Sequence, residues 1–182
     1  MKQITRNKTF ETNSSSIHSL SIMNENNDNV KRLNQLTYHI RFGQFGWEYA
    51  EYKDTKTILS YIWTVLHEGR VGNDYIDLMR EWLPNCTFEE AEVYNYSDGN
   101  SGYDLKSCYV DHGGNWFSPI YDWESHKQID HAAIEELFSS KKMFANAVFN
   151  GRLATWNDNC DTDAEPEFLY PKNAVHVIIK NN

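Results

Sequence analysis

Asn13, Ser14, Ser15 and Ser16 form an unbroken run of amide and hydroxyl side chains, and His18 follows two residues later. Consecutive Asn and Ser residues in a turn can aim several backbone N–H groups and hydroxyls at one anion. Arg6, Lys8, Thr12 and Ser19 flank the run and would favour a phosphate there. Histidine is the side chain best suited to moving a proton near neutral pH. With a phosphate held by Ser14 to Ser16, His18 could exchange a proton with a ribose 2′-hydroxyl or a leaving oxygen. The chemistry expected of Asn13, Ser14, Ser15, Ser16 and His18 is therefore phosphodiester chemistry on RNA. The same residues equally suit a serine-rich turn entering a strand, with His18 a satisfied structural side chain.

Acidic residues form the second constellation. They gather at Glu89-Glu90-Ala91-Glu92, at Asp122-Trp123-Glu124, and across Asp158, Asp161, Asp163, Glu165 and Glu167, the last stretch without a base. Aligned carboxylates can compete for a basic channel, or simply form a solvated loop. Residues 157–167 lack the spacing and the glycine of an EF-hand. Asp111-His112, with His126 and His131, lacks a spacing such as HExxH, so neither metal nor other cofactor is expected. Trp116, Phe117, Tyr121 and Trp123 lie in a stretch of poor periodicity, where Trp116 and Trp123 would serve as exposed anchors for a partner. Cys86, Cys108 and Cys160 are widely spaced and form no CxxC pair, which suits buried free thiols.

The elements that must hold these groups are legible in outline. Residues 16–23 alternate apolar and polar and predict a first strand, after which 24–29 is a polar turn and 30–35 a short helix. A half-buried strand is expected from Tyr38 toward Tyr49. Over 55–69, Ile58, Leu59, Ile62, Trp63, Val65 and Leu66 form one helical stripe, with Asp54 as N-cap and Gly69 as C-cap. A second helix begins at Asn73 or Asp74 and stops at Pro84. Residues 97–107 carry turn chemistry, 108–111 a short strand and 112–128 an aromatic loop. Asp130 caps a third helical run over 132–150, with a break expected at Ser139-Ser140. Gly151 ends it, Arg152 to Trp156 is a strand, and Ala174 to Lys180 is a strand suited to a covered sheet. Without strict βαβ alternation the expected class is α+β: one domain over 1–182, a mixed or antiparallel sheet covered by about three main helices.

Composition narrows the class further. At 182 residues and 40% apolar content, the chain can bury a core without disulfides or metal. A net charge of −9 argues against the usual basic DNA-binding domain and sequence-specific DNA recognition. The charge is uneven, with residues 1–42 mildly basic and the rest strongly acidic. No apolar run of membrane-spanning length and no apolar signal-peptide core are present, so a cytoplasmic protein without membrane association is expected.

The stretch Arg6 to Ile22 resembles the N-terminal signature Phe-Glu-Thr-Asn-Ser-Ser-Ser-x-His-Ser of small proteins from bacteriophages and mobile elements. Here its positions are Phe10, Glu11, Thr12, Asn13, Ser14, Ser15, Ser16, His18 and Ser19. In size and acidity the chain is similar to type II-A anti-CRISPR proteins, the inhibitors of Cas9. That resemblance implies a function in the bacterial host cell, with Cas9 and its guide RNA as partners. Inhibition would come either by docking or by promoting guide RNA shortening. A free-standing phosphodiesterase or nuclease-like hydrolase using the Ser/His segment is the alternative.

Overall fold

A computed structural model describes residues 16–46, 49–68, 74–95, 101–111, 116–117, 119–122, 127–157 and 171–180. In chain order the elements begin with β1 (Ser16–Ile22), α1 (Asn29–Leu33), β2 (His39–Ile40), β3 (Gln44–Phe45) and β4 (Ala50–Tyr52). Helices α2 (Thr55–Glu68) and α3 (Asp74–Trp82) follow, then β5 (Thr87–Phe88), β6 (Glu92–Asn95), β7 (Ser101–Asp104) and β8 (Tyr109–Val110). The chain continues through β9 (Pro119–Asp122), β10 (Lys127–Ala132), α4 (Ala133–Leu137), α5 (Lys141–Asn150), β11 (Gly151–Asn157) and β12 (His176–Lys180). The class is α+β.

The main sheet has four antiparallel strands in the order β12-β1-β11-β4. The first strand therefore lies inside the sheet. Its register pairs Leu20 with Leu153 and with Ile178, so three aliphatic side chains line up across three strands. All three are fully buried, and each such side chain contributes about 2 kcal/mol of transfer free energy. Helices α2 and α5 pack against this sheet and against each other. The strand expected at 16–23 is present as β1 and is buried at every position, polar residues included, because it has a strand on either side and its two faces are both covered.

The long helical run expected over 132–150 is two helices. Ser140 adopts extended backbone and accepts the Met143 N–H at 3.1 Å, capping α5 as its chain turns. Asp130 belongs to β10 rather than to a helix cap; at the start of α4 the Glu135 carboxylate accepts the Ala132 N–H instead. Trp82, Phe138 and Phe144 form an aromatic cluster joining α3 to α4 and α5, with ring centroids 5.3–5.6 Å apart. Helix α2 runs over Thr55–Glu68 much as its stripe implies, and is buried almost all round from Ile58 onward.

Two departures concern turn-like sequence. Part of 97–107 forms β7, which pairs antiparallel with β6 despite its Gly and Asp content. Within 112–128, Pro119–Asp122 and the start of β10 pair as an antiparallel ribbon. The strand expected from Tyr38 is reduced to His39–Ile40, parallel to β5, and β3 pairs parallel to β8. Among the described residues no helix is long and apolar enough to cross a membrane.

Candidate functional site

Strand β1 carries the part of the serine-histidine segment that the structure describes: Ser16, His18 and Ser19. Alternation along the strand sends Ser16, His18, Leu20 and Ile22 to one face and Ile17, Ser19 and Ser21 to the other. His18 and Ser19 therefore cannot line one pocket. Asn13, Ser14, Ser15, Thr12, Arg6 and Lys8 lie outside the described residues, as do Trp123, Asp158, Asp161, Asp163, Glu165 and Glu167.

His18 is 0% exposed and sits beneath α2. Its Nδ1 lies 2.6 Å from the Tyr61 hydroxyl, and the Trp116 indole N–H donates to that same oxygen at 2.8 Å. An indole nitrogen can only donate, so the Tyr61 oxygen is the acceptor there. Its own proton is then available to the neighbouring His18 Nδ1. The three rings interlock: Tyr61 is tilted against His18 and meets Trp116 edge to face, while Phe45 closes the remaining side. Burial holds the Tyr61 hydroxyl well above the usual phenol range; the Trp116 hydrogen bond opposes this, and the charge of Glu68 adds to it. The Tyr61 hydroxyl therefore keeps its proton under ordinary conditions.

The other edge of His18 meets the backbone. Gly46 has φ +103°, and a Cβ there would lie 2.7 Å from both His18 Nε2 and the Cβ of Asp111. Only glycine allows that approach. Ser16 ties in the same place, its hydroxyl donating to the Asp111 carbonyl at 3.2 Å. β3 and β8 position these two residues, since the Asp111 N–H donates to the Phe45 carbonyl at 2.9 Å. The Val110 N–H in turn donates to the Glu68 carboxylate at the end of α2. The segment is thus fastened to α2 and to the β3–β8 bridge.

On the opposite face the hydroxyls of Ser19 and Ser21 and the Nε of Arg152 are buried without a hydrogen-bond partner among the described residues. Ser21 and Arg152 are register partners, and Arg152 donates from Nη2 to Glu51, which also pairs with Lys53 at 2.6 Å. This face holds donors, but neither the imidazole nor an opening joins them to His18.

Trp116, expected as an exposed partner anchor, is 1% exposed and spends its N–H on Tyr61. Phe117 beside it is half-buried. The residues that sequence reasoning missed are Tyr61, hidden in a helix that is apolar on nearly every side, and Gly46, whose role shows only in its positive φ. Among the described residues no cluster of three or more His, Cys, Asp or Glu could hold a metal ion. Cys86 and Cys108 are free and half-buried, and burial raises both thiols above the usual range.

No family model matches the chain, and neither the curated proteins nor the solved structures include a match.

Proposed function

We propose that this protein is a phage-derived inhibitor of Cas9 that works by docking on the Cas9–guide RNA complex in the bacterial cytoplasm. Support for the class comes from the resemblance of Phe10 to Ser19 to the mobile-element signature, together with the net charge of −9. A Cas9-type effector holds nucleic acid in a positive channel and reads its short duplex signal with arginines. Carboxylates presented to such a surface compete for the same cations, and each desolvated Arg–carboxylate pair helps select the partner.

The observation that favours docking over guide shortening is the enclosure of His18. An imidazole at 0% exposure, with Nδ1 engaged by Tyr61 and its far edge against Gly46, has no access to a ribose hydroxyl. The same fact weighs against a free-standing phosphodiesterase built on this residue. In this reading the signature histidine holds the first strand to α2, and recognition belongs to the surface.

The test is co-purification of the Cas9–guide RNA complex with this protein over a salt series. Retention at low salt, loss as salt rises and a guide of unchanged length are expected, since screening weakens exposed charge contacts. Absence of a complex at low salt overturns docking, and a shortened guide restores the processing alternative.

A further inference from the structure

His67 lies at the end of α2, 5% exposed, inside a ring of aromatic neighbours: Phe42, Trp63 and Tyr103, with centroids 4.2–5.0 Å away. Its Nδ1 donates to the Trp63 carbonyl one turn back, at 2.9 Å. That bond fixes the proton on Nδ1 and leaves Nε2 as an acceptor, with no hydrogen-bond partner among the described residues. Burial keeps the ring neutral by depressing its pKa; the Arg80 charge acts the same way, while the Trp63 carbonyl and Glu90 oppose it.

This histidine lines a cleft of about 240 Å³ between α3 and the β6–β7 hairpin. The volume far exceeds the roughly 15 Å³ that one water needs. It falls below the ~300–1,000 Å³ of typical small-molecule sites, which suits a single side-chain-sized group. Asp77, Arg80 and Glu90 supply the charge. Arg80 is already satisfied by both Glu90 oxygens, at 2.9 and 2.7 Å, and lies over the Trp63 ring. Asp77 projects from the first turn of α3, is exposed, and forms no hydrogen bond or ion pair among the described residues. The unfilled positions are thus acceptors, a carboxylate and an imidazole lone pair, and the three charged groups sum to a negative charge. Among the described residues they join no group of three that could hold a metal ion. Ile76 and the Tyr103 ring offer an apolar wall beside them.

We infer that this cleft binds an alkylguanidinium group, its planar N–H fork shared between the Asp77 carboxylate and His67 Nε2 and its stem against Ile76 and Tyr103. A guanidinium suits the arrangement better than a compact ammonium, because it donates in a plane and stacks on aromatic faces. The inference stands apart from the signature segment, since it uses none of the residues of Phe10 to Ser19. The group could reach the cleft as an arginine side chain of a protein or as a free small molecule.

The test follows the His67 ring signals by NMR while n-butylguanidinium, a Gly-Arg-Gly peptide or inorganic phosphate is added to the full chain. Saturable shifts of His67 with the guanidinium probes, and none with phosphate, are expected. Tighter binding of the peptide assigns a protein side chain as the source, and equal or tighter binding of n-butylguanidinium assigns a free small molecule. The exposed Asp77→Asn substitution should leave the fold intact and weaken binding about threefold. An absent His67 response to both guanidinium probes, a response to phosphate as strong as theirs, or unchanged affinity in Asp77→Asn overturns the inference.

Discussion

The Tyr61 hydroxyl and His18 Nδ1 meet at 2.6 Å, joining the middle of α2 to the interior strand of the sheet across 43 positions of sequence. Tyr61→Phe keeps the ring and its volume but strands two buried groups at once, the His18 nitrogen and the Trp116 N–H. An unsatisfied buried polar group costs about 1–3 kcal/mol, so a loss of about 3 kcal/mol is expected. Urea denaturation measures it. A change under about 0.5 kcal/mol, the range of ordinary surface substitutions, would show that the hydroxyl is idle.

Gly46→Ala should be as damaging from the opposite edge of the same histidine. The new methyl would sit 2.7 Å from His18 Nε2 on a backbone with φ +103°. Strain of this kind costs about 1–3 kcal/mol before the displacement of the ring is counted. A variant melting with the parent would place the ring elsewhere than beneath Gly46.

Acid sensitivity should arise in part at His67, whose folded pKa lies below the ordinary 6.5. The unfolded chain takes up a proton there first, so this contribution is complete above about pH 6.5 and is lost as pH falls below it toward the folded pKa. His67→Gln should flatten the pH dependence of unfolding free energy between pH 6.5 and 5. An unaltered slope would assign the acid limb to other groups.

Alkaline behaviour has the opposite origin. Tyr61 holds its proton in the fold beyond the ordinary value of 10.0, so the unfolded state ionises first. Stability from this residue is complete below about pH 10 and declines above it. Phenolate absorbance should show one tyrosine ionising only with unfolding, a signal that Tyr61→Phe removes.

Ser140→Ala should lower stability by about 1 kcal/mol, because the Met143 N–H at the start of α5 loses its acceptor. Thermal unfolding measures the loss, and an unshifted midpoint would mean that water replaces the cap fully.

What the sequence discloses divides along the length scale of the pattern. The stripe of Ile58, Leu59, Ile62 and Trp63 marks α2, and Ser139-Ser140 marks the break before α5, because both signals lie within a few residues. Two-residue bridges such as His39–Ile40 and Gln44–Phe45 have no periodicity to read. Ser101–Asp104 carries turn residues yet pairs with Glu92–Asn95, since tertiary pairing overrides weak local preference. At the site, His18 stands out by its type and by the run before it. Tyr61 does not, for nothing in an apolar helix tells that its hydroxyl meets a strand 43 residues away. The alternation that predicts a strand over 16–23 itself sends His18 and Ser19 to opposite faces.

The placement of β1 between β11 and β12 bears on how the molecule is made. During synthesis the earliest of these three strands emerges long before either neighbour exists, and its apolar Leu20 and Ile22 must wait exposed while helices form around them. Such a non-local arrangement slows assembly and leaves an unpaired edge open to other chains. The order in which the strands are made thus sets when this sheet can close: only after the last of them is released.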